Sequence, residues 1–464
     1  MLSRASVLIF RGLLCGLFFV SQILFASEYS LQQQVSLKTY FTDNLSLSTI
    51  DKKERYGGTG ALSVDLSKET ETSSLSSEFL LEANNYNIKS YSTFDQLANI
   101  DYIRINERGS WGLNGSYDRN STRELEEASQ SFGPREQIDS RVLSRAVGAN
   151  WNWQLNEKNV LAMNVNLTDV AYESEFRSGY EYGQGSLLWQ HYVSDRLRLQ
   201  ANYSHSLFDS ENSIISVVSP LFQDTLDAGD LTEGDASFLV SACQVGINLI
   251  DQVDGGALEP WSCFEKLETD SRQSTDTYQI GVYYVFNEQL VVDILYGRSF
   301  VDSEKSNIYI NLPSITGGEG PRILSKKEDE DDGVTYQANI NYSNERLQSA
   351  FNASRNEGVN SNGALSLNTR ASLNAQYSFN RRHSIASVVQ WDRQENSGFS
   401  GAEFYDRDIA SVMLSYTYRI SGYWSLRSVY RLKDLSRAWQ SAHGRGNEFH
   451  LSIKWSPAKT SWSR

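Results

Sequence analysis

The chain has 464 residues, with 57 Asp and Glu against 42 Lys and Arg, which gives a formal net charge of −15. Such an acidic balance argues against nucleic acid as a partner, because phosphate binding needs a basic face. Aromatic residues make up 12% of the chain, too many for a disordered protein. No apolar run of about 18 residues follows residue 26, which excludes a helical membrane protein. What remains is an all-β fold.

The first 26 residues have the parts of a secretory signal peptide. Arg4 and Arg11 supply positive charge, residues 13–25 supply an apolar core, and Ala26 ends a fitting cleavage site. An uncleaved membrane anchor is the alternative, but the apolar core is short for one. We therefore predict an exported chain whose residues 27–34 form a short periplasmic segment.

From residue 35 to 455, apolar and polar residues alternate in runs of 10–14 residues, as in residues 365–379. Strands of soluble proteins are usually about five or six residues long, whereas strands that cross a membrane need about 9–11. The polar positions are Ser, Asn, Gln and Thr, which suits a strand with one face in lipid and the other in water. The predicted strands span 35–48, 58–70, 74–86, 96–107, 109–119, 143–154, 159–172, 179–192, 196–209, 275–286, 289–302, 333–343, 346–356, 364–379, 383–395, 406–419, 423–436 and 446–455.

Short turns and long connections alternate along this series. Asn- or Ser-led turns begin at Asn106, Asn156, Ser194, Asn287 and Asn344, and the connections between them are much longer. Short periplasmic turns and long outer loops are typical of bacterial outer-membrane barrels. We therefore predict a transmembrane antiparallel β-barrel of 18 strands with both termini in the periplasm. A count of 16 stays open because residues 96–119 alternate poorly, and residues 456–464 form a C-terminal tail.

One predicted outer loop, residues 210–274, is far longer than the others and contains Cys243 and Cys263. The periplasm is oxidising, so we predict a disulfide between these two cysteines. A loop of this length usually has a function, such as a plug, a lid or a partner site, and a surface loop without a gating role is the alternative.

Charged residues on the predicted lumen face divide into two groups. The basic candidates are Arg198, Arg370, Arg419, Arg427, Arg431 and Lys433. The acidic candidates are Asp65, Glu78, Glu82 and Asp118. Charged walls select ions in pores, so the two groups predict a lumen with one basic and one acidic wall. Mutual neutralisation across strands is the alternative.

No arrangement of residues in the sequence indicates an enzyme. The five His are scattered, and no nucleotide-binding glycine motif or zinc-ligand spacing is present. We predict no catalytic residues, no metal site and no cofactor.

The long Tyr/Asn/Ser strands and their turns, such as residues 342–347 and 379–383, resemble the family of outer-membrane β-barrel porins associated with bacterial exopolysaccharide and capsule export. This resemblance implies a wide barrel through which a polysaccharide crosses the outer membrane of a Gram-negative bacterium. It implies periplasmic and inner-membrane export components as partners, beside outer-membrane lipid and the barrel assembly machinery. A small-solute porin and a non-conducting display barrel are the alternative functions.

The predicted disulfide can be tested by electrophoresis of the intact protein. We expect reduction to change the mobility of the natural chain, because the cross-link keeps part of the large loop compact. Cys243→Ser removes one sulfur, so the variant should show no such change. A mobility change that persists in Cys243→Ser would refute the pairing with Cys263.

Overall fold

The computed structural model describes residues 27–44, 47, 52, 54–89, 92–121, 141–173, 179–218, 264–310, 322–359, 365–396, 407–437 and 440–463. The predicted signal peptide and both cysteines of the predicted disulfide lie outside the described residues. In the described part of the chain, no helix is long and apolar enough to cross a membrane.

The described residues form nineteen strands in a single antiparallel sheet. In chain order they are β1 (Glu28–Thr42), β2 (Arg55–Glu69), β3 (Ser73–Tyr86), β4 (Thr93–Asn106), β5 (Gly109–Ser121), β6 (Arg141–Asn156), β7 (Asn159–Tyr172), β8 (Tyr180–Tyr192), β9 (Leu197–Val218), β10 (Phe264–Val285), β11 (Leu290–Ile310), β12 (Arg322–Ser343), β13 (Leu347–Val359), β14 (Leu365–Ser378), β15 (His383–Asn396), β16 (Arg407–Arg419), β17 (Trp424–Arg437), β18 (Gln440–Trp455) and β19 (Thr460–Ser463).

Each strand pairs with its neighbours in sequence, and the first strand also pairs with the last long one. β1 contacts β2 on one side and β18 on the other, with Val35 opposite Trp455 and Thr42 opposite Glu448. The sheet is therefore a closed barrel of eighteen strands, as predicted, and the count of sixteen is wrong. β19 follows Pro457 and pairs with Glu28–Leu31, which extends the same seam.

The ends of several strands differ from the predicted spans. β1 begins at Glu28, so residues 28–34 belong to the barrel instead of a separate segment, and the C-terminal tail contributes β19. β9 and β10 extend to Val218 and from Phe264, which leaves only residues 219–263 of the predicted large loop between them. β11 and β12 similarly extend into the connection between the predicted strands 289–302 and 333–343. Backbone pairing does not need an apolar face, so strands continue where the alternation in the sequence has already ended.

The short turns have the local hydrogen bonds that their sequences predict. The side-chain oxygen of Asn344 accepts hydrogen bonds from the backbone N–H groups of Arg346 and Leu347, at 2.9 and 2.7 Å. Because an Asn side chain can mimic a backbone turn in this way, a tight connection forms without strain. The same arrangement occurs at Asn287 and Asn380. We call this end of the barrel the short-turn end, and the opposite end the long-loop end.

Side chains on the two faces of the sheet differ in exposure. Leu37, Tyr56 and Ile280 are 61%, 57% and 72% exposed, whereas the polar Ser299 and Thr335 are 0% and 2% exposed. Side chains on the convex face of a barrel have open space around them, and those on the concave face crowd toward the axis. The apolar set therefore faces outward and the polar set faces the lumen.

After β1, the described residues Asp43, Asn44 and Leu47, here called the inward segment, lie against the start of β18. The Asn44 side chain donates to the Arg445 carbonyl at 2.7 Å, and Leu47 packs in a small buried cluster with Ile409 and Leu435. Leu47 has a φ of +48°, an uncommon conformation for a residue with a side chain. Gly444 makes room for this segment, since a Cβ there would lie 1.8 Å from the Leu47 carbonyl oxygen.

We predict that a methyl group added at Gly444, where the backbone contacts the inward segment, destabilises the protein. Gly444→Ala should lower the free energy of unfolding by about 1–3 kcal/mol, because the new Cβ overlaps backbone that cannot move freely. Urea unfolding of the refolded protein in detergent micelles measures this change.

Gly185→Ala is the matched control, because no atom lies within 4 Å of a Cβ at that strand position. It should leave the stability within about 1 kcal/mol of the natural value, as Ala also restricts the unfolded chain. Equal losses in both variants would contradict the contact.

Candidate functional site

The outward face carries a continuous band of uncharged side chains, here called the apolar belt. On β17 the belt runs from Trp424 to Leu432, and on β18 from Asn447 to Trp455. Each stretch has about nine residues, the length that spans a hydrocarbon core when a strand is tilted. Among the described strands, Lys68 and Arg104 are outward-facing charges at the short-turn end, below the belt. A membrane-spanning surface has this distribution of charge.

Above the belt, toward the long-loop end, outward arginines pair with carboxylates that lie one or two strands away. Seven arginines take part. The pairs are Arg119–Glu173, Arg145–Asp169, Arg272–Asp209, Arg298–Asp332, Arg355–Glu395, Arg393–Asp408 and Arg445–Asp434. Charged pairs are costly inside hydrocarbon, so this ring marks one limit of the membrane-spanning surface.

Aromatic side chains line the belt near the short-turn end. The ring centroids of Trp151 and Trp153 lie 4.9 Å apart, and those of Trp424 and Trp455 lie 6.4 Å apart. All four lie at or near the short-turn ends of their strands. Amphipathic rings are favoured at the boundary between lipid tails and water, so their level marks the second limit of the surface.

Most of the lumen wall from β6 to β14 is neutral and rich in amides and hydroxyls. Asn202 donates to Gln279 at 3.2 Å, and Gln279 donates to Thr335 at 3.3 Å, so the hydrogen bonds run across β9, β10 and β12. Gln200 extends the same wall and is 5% exposed. Amide side chains offer both donors and acceptors, which is the chemistry that matches hydroxylated solutes.

A second sector of the lumen wall, β2 to β5, is acidic. The pairing register places all four acidic candidates, Asp65, Glu78, Glu82 and Asp118, on the lumen face. Asp65 and Glu78 lie directly opposite each other on β2 and β3. Asp95, which the sequence analysis did not single out, joins this sector and accepts a hydrogen bond from Arg141 at 2.6 Å.

The register also places the six basic candidates on the lumen face, but their surroundings differ. Arg370 pairs with Asp392 at 2.5 Å, and Lys433 pairs with Glu448 at 2.7 Å. The guanidinium of Arg198 lies between the rings of Tyr192 and Tyr283, 4.5 and 4.4 Å from their centroids, which favours the cation by its interaction with the π electrons. Their role in selecting ions stays a prediction.

Glu448 is the centre of a compact charged cluster at the long-loop end of the lumen. Lys433 and Glu448 are both nearly inaccessible, at 2% and 5% side-chain exposure. Arg431 lies 3.6 Å from the same carboxylate, and His450 lies 3.9 Å from it. Because one buried carboxylate faces several cationic groups, Arg431 and Lys433 are locally compensated. They contribute less to an open basic wall than their sequence positions suggest.

Two exposed lumen cations from the predicted group, Arg419 and Arg427, have no carboxylate within 4 Å in the described part of the chain. Sequence reasoning missed two further members, Lys38 on β1 and Lys454 on β18. Lys454 lies directly opposite Ser36, and Lys38 lies opposite Ser452. The alternation could have identified both, because residues two apart on a strand share a face. Lys38 is two residues from Ser36, and Lys454 is two residues from Ser452.

A histidine–carboxylate pair lies on the outward face, where the sequence analysis found none. His205 Nδ1 is 3.0 Å from Asp276 Oδ1, and the Tyr203 hydroxyl donates to the same oxygen at 2.7 Å. Strand pairing between β9 and β10 brings these distant residues together. Within the described residues, no serine or threonine hydroxyl is hydrogen-bonded to this imidazole.

No protein-family model and no curated protein matches this sequence. Among solved structures, the barrel is similar to the ferric-catecholate import receptor Fiu from E. coli, with 6% identity and a TM-score of 0.46 over 92% of this chain and 81% of that one. It is also similar to OccAB3 from Acinetobacter baumannii, with 11% identity and a TM-score of 0.40 over 93% and 99%. A third similar structure is OpdL from Pseudomonas aeruginosa, with 11% identity and a TM-score of 0.38 over 94% of this chain and 99% of that one.

The accessible part of the basic wall predicts an effect on ion selectivity. Arg427→Glu should shift the reversal potential in a KCl gradient toward cation preference, because it reverses an exposed charge that faces the lumen. The ratio of K⁺ to Cl⁻ permeability should rise several-fold. Planar-bilayer recording measures the shift. Arg431→Glu should shift the reversal potential less, since Arg431 lies against Glu448.

Arg145→Glu makes the same charge change on the outward face and serves as the control. It should leave the reversal potential at the natural value. If Arg427→Glu behaves like this control, the basic wall does not select ions.

Proposed function

We propose that this protein is an aqueous conduit through the outer membrane of a Gram-negative bacterium. One observation carries the proposal: a closed eighteen-stranded barrel has an uncharged belt outside and a polar wall inside. Barrels of 16–18 strands enclose a water-filled channel. The protein works without catalysis in this proposal, and solutes cross it by diffusion.

We further propose that the solute is a hydroxylated chain, most specifically an exopolysaccharide on its way out of the cell. The neutral wall built around Gln200, Asn202, Gln279 and Thr335 supports this choice, since amides and hydroxyls exchange hydrogen bonds with sugar hydroxyls. Such bonds replace those with water at little net gain, so a chain can slide without being held. Periplasmic and inner-membrane export components would deliver the chain to the short-turn end, which faces the periplasm.

A small-solute porin is the second candidate, and it fits the same geometry. The divided charge of the lumen favours it, because acidic and basic sectors on one wall orient small dipolar or charged solutes. The two candidates differ in the fate of surface polysaccharide when the protein is absent. A display barrel differs from both in passing no current.

The polysaccharide proposal is tested in a strain that lacks the gene. We expect surface polysaccharide to fall and periplasmic polysaccharide to accumulate, because synthesis continues while the exit is closed. Quantifying sugar in surface and periplasmic fractions measures this, and the intact gene should restore the natural distribution. Unchanged surface polysaccharide, with an active pore in bilayers, would favour the small-solute porin instead.

A further inference from the structure

Four cations form a zigzag around one side of the lumen near the short-turn end, on four consecutive strands of the closed wall. They are Lys38 on β1, Lys454 on β18, Arg427 on β17 and Arg419 on β16. Lys38 is opposite Ser452, which is opposite Arg427. One step closer to the short-turn end, Lys454 is opposite Ser425, which is opposite Arg419. We call these four residues the mouth cations.

The mouth cations are diagonal neighbours along the sheet. A residue and its diagonal partner on the next strand are roughly 7–8 Å apart at their Cα atoms. Three such steps lead from Lys38 through Lys454 and Arg427 to Arg419. Long, flexible side chains let the charged groups converge on one ligand or follow an extended one. Only hydroxylated side chains, Ser36, Ser425, Ser452 and Thr417, separate them in the two rows.

The mouth cations differ from the other lumen cations in having no close counter-charge. None of the four has a carboxylate within 4 Å in the described part of the barrel, whereas Arg370, Arg431 and Lys433 each face one. Glu82 influences Lys38 electrostatically from β3, two strands away. Arg419, Arg427 and Lys454 are exposed, and Lys38 is half-buried. Four like charges at this spacing repel one another, and a bound anion would relieve that repulsion.

We propose that the mouth cations bind solutes that carry two or more negative charges, with phosphate or carboxylate groups as the charged units. A single small anion can contact one or two of the cations, but a multiply charged solute can contact several at once. Arg supplies paired donors for an oxyanion and Lys supplies a point charge, so the set suits both groups. This proposal rests on the proposed conduit, in which it defines a solute class recognised at the periplasmic mouth.

Equilibrium binding tests the site separately from conduction. The full chain, refolded in an uncharged detergent at about 0.1 M salt to limit screening, is titrated calorimetrically with tripolyphosphate and with citrate. Saturable binding of either probe is expected. Lys454→Gln with Arg427→Gln should weaken it about tenfold or more, since two of four attractive charges are lost. Heat-modified electrophoretic mobility confirms that the variants are folded.

Arg145→Gln with Arg393→Gln removes two positive charges from the outward face and is the matched control. It should bind both probes as the natural protein does. Binding of tripolyphosphate alone assigns phosphate as the recognised group, and binding of citrate alone assigns carboxylate. Absence of binding, or equal weakening in both double variants, would overturn the site.

Planar-bilayer current separates failure of the site from failure of the conduit. If the protein conducts KCl but binds neither probe, the proposed conduit stands and the proposed binding site is refuted. If the protein binds a probe through the mouth cations but passes no current, the proposed conduit is refuted and the proposed binding site stands.

Discussion

The structure depends on one constraint: inside a membrane, every backbone N–H and C=O group needs a partner within the protein. A sheet meets this constraint only when it has no free edge. Here the edge disappears because β1 pairs along its length with β2, and on its other side with β18 and then β19. The short β19 therefore completes the seam where Trp455 ends the last long strand.

Closure then divides every strand into two faces with opposite requirements. The outer face must be uncharged over about nine residues, and the arginine–carboxylate ring begins where that requirement ends. The inner face can carry polar groups, and these are distributed unevenly around the barrel. Amides and hydroxyls cover most of the wall, acids cluster on β2 to β5, and cations cluster from β16 to β1. Basic and acidic sectors thus meet at the seam between β1 and β2.

Local compensation decides which of these charges a solute can meet. Lys433 is almost completely covered and is bound to Glu448, while Arg427 projects into the lumen with no partner within ion-pair distance among the described residues. Both belong to the same strand and the same face. Counting lumen cations from the sequence therefore overestimates the charge at the long-loop end and, by omitting Lys38 and Lys454, underestimates it at the short-turn end.

The sequence predicts the strand number, the turns and the faces because these follow from local periodicity. Residues 365–379 alternate without interruption, and the Asn344 turn needs only residues two and three positions away. Other features depend on residues that are distant in sequence. The Lys433–Glu448 pair, the Leu47 contact with Gly444 and the His205–Asp276 pair all arise from register between strands. The start of β1 at Glu28 and the extensions of β9 to β12 were missed because paired backbone outside lipid leaves no pattern of alternation.

The assignment of faces is tested most directly by substituted cysteines along β14. With Cys243 and Cys263 replaced by Ser, single cysteines are placed at positions 370 to 376, and the protein is reconstituted in lipid vesicles. A charged, membrane-impermeant maleimide should label positions 370, 372, 374 and 376, which face the lumen. It should leave 371, 373 and 375 unlabelled, because those positions face lipid. Uniform labelling, or labelling of the odd positions alone, would contradict a barrel with an aqueous interior.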